Sequence, residues 1–245
     1  LIAKAEELNR NPSRREMDML LATGEQISVA LCAMALESMG LPCVSLAAWQ
    51  AGIWSNNLHM DARIQKIDQD RIRMELDSHR IVIVTGFQGV DRRGDLTTLG
   101  RGGSDTTAVA LAAALRADAC EIYTDVEGVY TADPRIVPHA RKMKEITYFE
   151  MLEMARLGAG VMQPRSVEMG KHFNIPIHVR STFTTKPGTF IREAYTMEEK
   201  DFVIRGVAHD EKVVKIAILG IPNNPGIAHQ IFSTLANAHI VRSEE

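Results

Sequence analysis

The stretch "TTLGRGGSDTTAVALAAAL", residues 97–115, places a glycine-rich turn directly before an alanine-rich segment. Alanine and leucine are strong helix formers, so the sequence predicts a helix over 105–117. Gly100, Gly102 and Gly103 allow backbone N–H groups at the start of that helix to approach an anion closely. The Gly-Lys-Ser/Thr of a P-loop is missing from this stretch, which excludes the P-loop nucleotide-binding class.

Strand and helix signals alternate around this turn. Short, apolar, β-branched runs at 80–89, 120–134 and 175–182 end in polar or turn residues and predict buried parallel strands. Helical patterns follow at 147–157 and 163–173. This alternation predicts an α/β fold, a three-layer sandwich with a mainly parallel central sheet.

A long helical segment, "SRREMDMLLATGEQISVALCAMALESMG", precedes the first of these strands. Ser13 and Glu16 have the spacing of a capping box, and Gly40 suits the C-terminal cap. Gly24 is predicted to divide the segment into two helices, with Glu25 starting the second. The periodicity predicts one core face, formed by Ile27, Ala30, Leu31, Met34 and Ala35.

Composition and charge favour a globular protein with a small-molecule partner. The 245 residues are 45% hydrophobic and 24% charged, with a net charge of −3 and no basic stripe for nucleic acid. No apolar run reaches the roughly 18 residues of a membrane helix, and the first residues do not form a signal peptide. We therefore expect a cytoplasmic protein without a membrane segment. Cys32, Cys43 and Cys120 form no metal-spaced pair and are predicted to be structural thiols in apolar surroundings.

The pattern changes after about residue 190. The charged stretch "REAYTMEEKD" has no apolar periodicity, and "VVKIAILGIPNNPGIAHQIFSTLANAHI" then predicts a strand, an Asn-Pro-Gly loop and a helix. We therefore predict a boundary near residue 205, with a first domain over 1–204 and the start of a second over 205–245.

Two of the predicted strands end in unusual polar loops, Thr85-Gly86-Phe87 and Thr124-Asp125. Ligands collect at the carboxyl ends of strands in open parallel sheets, and the glycine turn lies between these loops in the sequence. There, Ser104 or Asp105 is predicted to cap the helix, and Arg101 is a fixed cation suited to a carboxylate or phosphate. The chemistry alone leaves an alternative open, in which the glycines only form a tight turn and Arg101 is solvated.

Longer motifs resemble a known family. The segment "TTLGRGGSDTTAVALAAALRADACEIYTDVEGVYTADPR", together with "ATGEQIS" and "PIHVRSTFTTKPGT", resembles the aspartokinases of the amino acid kinase superfamily. This resemblance covers nearly the whole chain. The tail "VVKIAILGIPNNPGIAHQIF" is similar to the opening strand, loop and helix of an ACT domain, an amino-acid-sensing module. The resemblance implies the amino acid kinase fold with a partial ACT domain.

The implied reaction is phosphoryl transfer from MgATP to the β-carboxylate of L-aspartate, which gives 4-phospho-L-aspartate. By matching motif positions, Glu25 binds the substrate amino group, Arg101 binds a carboxylate and Asp105 orients the catalytic cation. Ser104 and Phe87 line the pocket, and no protein side chain is expected to ligate a metal. From the residues alone, the favoured explanation of Glu25 is a solvated acid near a helix start. Phe87 is equally explained as core packing.

The resemblance also implies a nucleotide site at the second polar loop. The residues assigned to ATP are Thr124, Asp125, Tyr130, Asp133, Arg135, Gly160 and Val161. Many family members carry a lysine in a "GAKV" segment where this chain reads "GAGV", so contacts at Gly160 and Val161 are expected from the backbone. A structural explanation stays open, in which Asp125 starts a turn and Tyr130 packs.

Regulation and completeness are further implications of the resemblance. A lysine or threonine effector is expected at Asn223, Asn224, Pro225, Gly226, Ile227 and Ala228, within at least a homodimer formed through ACT domains. Family members begin with a strand and a Lys-Phe-Gly-Gly loop, whose lysine neutralises charge on the transferring phosphoryl group. No lysine of this chain matches that motif, so both domains are expected to be incomplete and the printed polypeptide to be inactive by itself.

Two alternatives remain. Another amino acid kinase, of the acetylglutamate, glutamate or uridylate type, would share the sheet but use another acceptor, and the pairing of "TGEQ" with "GRGGSD" argues against it. A non-catalytic amino-acid-binding regulatory subunit would depend on the ACT module, and the intact nucleotide-loop residues argue against that.

Overall fold

The structure is a computed structural model that describes residues 1–193, 206–209 and 226–237. Its helices are α1 (Ile2–Leu8), α2 (Arg14–Ser38), α3 (Asp70–Asp77), α4 (Gly103–Leu115), α5 (Tyr148–Arg156), α6 (Pro164–Phe173) and α7 (Ile227–Asn237). Its strands are β1 (Cys43–Leu46), β2 (Ile53–Ser55), β3 (Ile64–Ile67), β4 (Ile81–Val84), β5 (Gln88–Val90), β6 (Leu96–Thr98), β7 (Cys120–Thr124), β8 (Glu145–Ile146), β9 (Ile177–Ser181) and β10 (Thr189–Ile191).

The strands form three hydrogen-bonded groups. β1 pairs with β4, a second group has the order β7-β9-β10-β8, and a third has the order β3-β2-β5-β6. Four of these pairings are parallel, and three are antiparallel. The predicted α/β fold is confirmed, with sheets that are mixed in direction. The short strands β1, β2, β3, β5, β6, β8 and β10 were not foreseen from the sequence.

The three helices predicted for the middle of the chain all form, with bounds shifted by at most two residues. α5 has a complete capping box, in which the Thr147 hydroxyl accepts from the Glu150 N–H and the Glu150 carboxylate accepts from the Thr147 N–H. α6 begins with Pro164, whose missing N–H would have had no partner inside the helix. Each start is therefore encoded by residues next to it.

The predicted break at Gly24 is wrong, because α2 is one continuous helix of 25 residues. A single glycine costs a helix about 1 kcal/mol, which the surrounding leucine, alanine and methionine residues and packing against the strands outweigh. The predicted ends are confirmed. The Ser13 side chain accepts from the Glu16 N–H at 3.4 Å, and Gly40 follows the helix with a φ of 77°.

The predicted core face of α2 is also wrong. Ile27, Leu31 and Met34 are 60%, 61% and 62% exposed. Ala35 is exposed as well, and Ala30 is half-buried. The buried side instead includes the small residues Ala22 and Ala33, and the Cys43 thiol donates to the Ala33 carbonyl at 3.3 Å. Small side chains let the helix lie close to β1, so the small-residue side faces the sheet.

The three thiols have different surroundings. Cys32 is exposed, which corrects the expectation of an apolar environment, whereas Cys43 is half-buried and Cys120 is buried. Burial, with a smaller contribution from the charge of Asp105, raises the pKa of the Cys120 thiol to about 11. Cys120 therefore behaves as a small core hydrophobe at neutral pH.

α2 also corrects the expectation that no segment is long and apolar enough for a membrane helix. By length and composition alone, it is the one helix of the described residues that could cross a membrane. On one side α2 packs against β1, β4 and β6, whereas Ile27, Leu31 and Met34 are exposed. Its fully buried Asp18 accepts hydrogen bonds from the Thr98 hydroxyl and the Met60 N–H.

The larger hydrophobic core lies between strands β7, β9 and β10 and helices α4, α5 and α6. Tyr148 is fully buried there, and its hydroxyl donates to the Ile175 carbonyl at 2.7 Å. A smaller core forms around Leu46, Ile53 and Ile72. α4, whose N-terminus carries the glycine turn, contacts strands of both regions.

The predicted domain boundary near residue 205 falls outside the described residues, as does the predicted strand after it. The predicted final helix is confirmed as α7. The division into 1–204 and 205–245 stays a prediction.

We expect Gly24→Ala to raise the free energy of unfolding by about 0.5–1 kcal/mol, because alanine is the better helix former inside a continuous helix. A Cβ at Gly24 meets no atom within 4 Å, so the substitution adds no clash. Urea unfolding followed by circular dichroism measures the change. Gly102→Ala serves as the contrast, since Gly102 has a φ of 70° and must lose stability. A destabilised Gly24→Ala would show that α2 bends at this position.

Candidate active site

The glycine turn makes the N-terminus of α4. Gly100 and Gly102 have φ values of 73° and 70°, a region that residues with a Cβ adopt at a cost. Gly102 is the N-cap of α4, with no side-chain capping hydrogen bond. The prediction that Ser104 or Asp105 caps the helix is therefore wrong. Both lie inside its first turn, because the left-handed glycine turns the chain into the helix without a capping side chain.

Three neighbouring segments pack against the glycines. A Cβ at Gly100 would lie 2.8 Å from the Met60 carbonyl oxygen, and one at Gly102 would overlap the Gln163 side chain. A Cβ at Gly103 would lie 2.9 Å from Cδ2 of Phe87. Close packing requires glycine at all three positions. At Gly100 and Gly102 the positive φ is a second reason.

Phe87 is fixed beside this turn in an unusual conformation. Its φ is 69°, which is strained for a bulky residue, and such strain concentrates at functional sites. Its N–H donates to the Thr107 hydroxyl of α4 at 3.1 Å, and its carbonyl accepts from the Leu99 N–H at 2.8 Å. A Cβ at Gly86 would lie 3.3 Å from the Ser104 hydroxyl oxygen. The structure thus brings Phe87 and Ser104 close to each other, and their shared substrate pocket stays a prediction.

α2 approaches the same place from the other side. The Gln88 side-chain amide donates to the Ala22 carbonyl at 3.0 Å. Gln88 directly follows Phe87, and Ala22 lies about one helical turn before Glu25. A cavity of about 200 Å³ lies nearby, lined in part by Gln26, Ser45, Gln50 and Thr85. The Thr85 hydroxyl is fully buried and has no hydrogen-bond partner among the described residues. This end of the sheet is therefore polar and open.

Glu25 and Arg101 are the two charged residues predicted to bind the substrate. Glu25 is half-buried in the middle of α2, and Arg101 is exposed in the glycine turn. Within the described part of the chain, neither side chain has an ion pair. Both charges are available to a zwitterionic ligand.

Asp105 lies in the first turn of α4 and is half-buried. Burial raises the pKa of its carboxyl group. The described residues supply it with no ion-pair partner, so its charge is stabilised chiefly by the positive end of the helix dipole. A carboxylate kept in this state can attract a cation into the site.

The second polar loop follows β7. The Thr124 hydroxyl donates to Asp125 at 3.0 Å, and the Thr124 carbonyl accepts from the Thr182 N–H at 2.8 Å. Because β7 and β9 are parallel, their carboxyl ends lie together at one sheet edge. α4, whose N-terminus carries the glycine turn, packs on β7.

Asp133 and Arg135, both assigned to ATP, bind each other. The Arg135 guanidinium donates from Nε at 3.0 Å and from Nη2 at 2.7 Å, so the pair is bidentate. The hydrogen bond lowers the pKa of Asp133 and raises that of Arg135. The Arg135 side chain is 88% exposed, so solvent weakens the pair and the guanidinium can exchange partners.

The remaining residues assigned to ATP are Tyr130, Gly160 and Val161. The backbone of Tyr130 forms an isolated antiparallel β-bridge with Lys142. Burial, and to a smaller extent the charge of Glu127, raises the pKa of the Tyr130 hydroxyl. Gly160 is exposed and a Cβ there would meet no atom within 4 Å, while Val161 is half-buried. Of the predicted effector residues, 223–225 lie outside the described residues, and α7 begins at Ile227.

One cluster of possible metal ligands among the described residues lies outside the glycine turn. His59, Asp91 and Asp95 place ligand atoms within 4.8 Å of one another. Asp95 already accepts two hydrogen bonds from Arg15, and His59 Nδ1 lies 2.7 Å from buried Asp18. These contacts explain the group as a polar network that joins α2 to the β5–β6 turn.

Sequence reasoning missed the residues that hold the glycine turn from outside. Thr107 supports Phe87, Gln163 packs on Gly102, and the Arg165 guanidinium donates to the Leu99 carbonyl at 2.6 Å. Thr107 lies within the quoted motif, where its hydroxyl at the first helical turns was the available signal. Gln163 and Arg165 are about 60 residues away, and no local pattern indicates such a contact.

Comparison with known proteins identifies the family. The model of the amino acid kinase family matches residues 1–181. An aspartokinase of Geobacillus stearothermophilus is 53% identical over 240 residues, which cover 98% of this chain and 59% of that protein. The chain spans 58–59% of the length of such relatives.

Two crystal structures of E. coli aspartokinase III, each 28% identical to this chain, show the same fold. The complex with aspartate and ADP superposes with a TM-score of 0.79, covering 99% of this chain and 56% of the other. The complex with lysine and aspartate has a TM-score of 0.71 and covers 92% and 51%. With the family model matched over most of its length, the chain belongs to the amino acid kinase family.

Proposed function

We propose that this chain is the kinase portion of an aspartate kinase, which transfers the γ-phosphoryl group of ATP to the β-carboxylate of L-aspartate. The observation that carries the proposal is the 53% identity to an aspartokinase across 98% of the chain. A shared fold alone would not select the acceptor, since one fold serves several chemistries. The product is 4-phospho-L-aspartate, a precursor in lysine, threonine and methionine biosynthesis.

The acceptor site is built from the glycine turn and α2. Aspartate carries an ammonium group and two carboxylates, so its binding site needs one acid and a fixed cation. Glu25 binds the ammonium group and Arg101 binds a carboxylate. Phe87 and Ser104, which the fold brings together, line the pocket. In support, both charged side chains lack ion pairs within the described residues, so binding breaks no existing pair.

The donor site is built from the loop after β7. Thr124, Asp125 and Tyr130 bind the nucleotide, the backbone around Gly160 and Val161 contributes further contacts, and Arg135 contacts a phosphate. Arg135 suits this role because its pair with Asp133 is solvent-exposed and exchangeable. The polar strand end and the open space at Gly160 fit a nucleotide, and a bound Mg²⁺ would neutralise phosphate charge. Asp105 orients the catalytic cation at the N-terminus of α4.

The regulatory part of the proposal concerns the C-terminal residues. Residues 1–204 form the catalytic domain and 205–245 begin an ACT domain, whose "NNPGIA" loop binds lysine or threonine at the start of α7. The E. coli relative in complex with lysine supports an amino-acid effector. Free N–H groups at a helix N-terminus suit an α-carboxylate. We expect at least a homodimer, because ACT domains complete their sites against a second copy.

A panel of acceptors tests the function. The full-length product of the gene is assayed for ADP release from MgATP with L-aspartate, L-glutamate, N-acetyl-L-glutamate or UMP. We expect turnover with L-aspartate alone. Turnover with another acceptor in its place would identify a different amino acid kinase. Binding of ATP or lysine without turnover of any acceptor would favour a regulatory subunit.

Arg101→Ala is expected to lower kcat/KM for aspartate by about 10- to 100-fold, because a hydrogen bond to a charged group contributes about 1.5–3 kcal/mol. The KM for ATP should stay unchanged. Arg92→Ala, which removes an exposed arginine from the β5–β6 turn, is the matched control. Equal losses for aspartate and ATP would mean that the glycine turn has collapsed, and would contradict the assignment.

Glu25→Gln is expected to raise the KM for aspartate about 10-fold or more, because the charge that pairs with the ammonium group is lost. Glutamine is also a good helix former, so the melting temperature should not change. Glu37→Gln, an exposed acid near the end of the same helix, is the control. Wild-type kinetics in Glu25→Gln would leave Glu25 as a surface acid.

Asp105→Asn is expected to reduce kcat by about 10²-fold or more, through loss of the charge that orients the cation. It should also stabilise the fold above the usual pKa of aspartate. Burial raises the folded-state pKa of Asp105, so the wild type loses stability as pH rises from the unfolded to the folded pKa. Asparagine has no such loss.

Urea unfolding across a pH series separates these effects. The stability gain of Asp105→Asn should disappear at low pH, where aspartate is protonated in both states. Asp118→Asn, an exposed carboxylate beyond α4, provides the reference. A gain that is the same at every pH would contradict the cause given for the raised pKa.

A further inference from the structure

Arg165 connects α6 to the glycine turn through backbone carbonyls. It is the second residue of α6, and its side chain is 22% exposed. Nη1 donates to the Leu99 carbonyl at 2.6 Å and Nη2 donates to the Ala62 carbonyl at 2.9 Å. Nη1 also lies 3.3 Å from the Asp61 carboxylate. One guanidinium therefore joins three chain segments that are distant in sequence.

The Leu99 carbonyl is the last backbone acceptor before the first glycine of the turn. Leu99 is fully buried, and its N–H already donates to the Phe87 carbonyl at 2.8 Å. With Arg165 on its carbonyl, both polar groups of this peptide position are satisfied. The chain therefore enters the left-handed conformation of Gly100 from a fixed point.

The Ala62 carbonyl belongs to the segment on the other side of the turn. The Ala62 N–H donates to the Thr98 carbonyl at 2.9 Å, and the preceding Met60 carbonyl lies against Gly100. By holding Ala62 and Leu99 together, the guanidinium keeps this segment closed over the glycines. Gln163, two residues before Arg165, presses on Gly102 from the same helix end.

Burial of the Arg165 guanidinium has a desolvation cost. Burial lowers the pKa of Arg165, and a nearby positive charge on Arg63 lowers it further. Arginine nevertheless stays protonated at neutral pH, so the buried charge must be compensated by its acceptors. The planar fork presents a separate nitrogen to each of the two carbonyls, whereas the three N–H groups of a lysine ammonium all leave from one nitrogen.

We propose that Arg165 is a positioning residue that holds the Leu99–Gly103 turn in the conformation that binds the acceptor. The effect on the acceptor rests on the proposed function, whereas the effect on the turn does not. Arg165 touches no substrate in this proposal. It acts through the Leu99 carbonyl, which fixes where Arg101 and Ser104 lie relative to Phe87.

The test compares Arg165→Met, Arg165→Lys and the control Arg156→Met. Arg156 also joins two helices, through Glu168 of α6, but does not reach the glycine turn. Hydrogen–deuterium exchange of the peptide that spans 97–107 reports on the turn without any substrate. Urea unfolding reports on global stability, and steady-state kinetics give separate KM values for aspartate and ATP.

In Arg165→Met we expect faster exchange at the turn and an aspartate KM raised about 10- to 100-fold, since misplacement of a binding group by about 1 Å has effects of this size. The ATP KM should not change. Arg165→Lys should show the same pattern at smaller amplitude. Added guanidinium ion should restore the wild-type aspartate KM and slow exchange in Arg165→Met at concentrations that do not unfold it.

Unchanged exchange at the turn in both variants would overturn the inference, as would an increase spread evenly over all peptides. If Arg165→Met does not fold, Arg165→Lys decides between these results. Faster exchange at the turn with an unaltered aspartate KM would uphold the role of Arg165 in holding the turn. It would contradict the acceptor site instead, so the two failures are distinguishable.

Discussion

The left-handed backbone of the glycine turn is the constraint on which the site depends. Gly100 and Gly102 adopt positive φ values, and the space a side chain would need is taken by the 60–62 segment and by Gln163. Because Gly102 itself caps α4, the first helical N–H groups stay uncovered by any capping side chain. The turn can therefore offer both N–H groups and the positive end of the helix dipole to an anion.

Features encoded by neighbouring residues were predictable from the sequence, and features that join distant segments were not. The capping box at Thr147 and the proline at the start of α6 mark helix starts within a few residues. The strand β6 is three residues long and is defined by pairing with β5. Such short strands have little intrinsic preference, so their existence depends on partners that a local pattern does not reveal.

The errors on α2 have a related cause. Its apolar residues cover more than one face, so periodicity marked Ile27, Leu31 and Met34 as core while the side with Ala22 and Ala33 packs on the sheet. At the site, the family motifs placed Phe87 and Ser104 in one pocket, and the fold brings them together. The support from Arg165 was not predictable, because its acceptor at Leu99 lies 66 positions away.

Because α2 is continuous, the angle around the helix axis between Asp18 and Glu25 is fixed by the number of residues between them. Asp18, buried against Thr98 and Met60, anchors one side of the helix, and Glu25 follows seven positions later, close to two full turns. Each residue inserted or deleted between them would rotate Glu25 by about 100° away from that side. Substitutions within residues 19–24 leave this angle intact, whereas changes in length do not. The number of residues between the anchor and the acid is thus constrained more strictly than their identity.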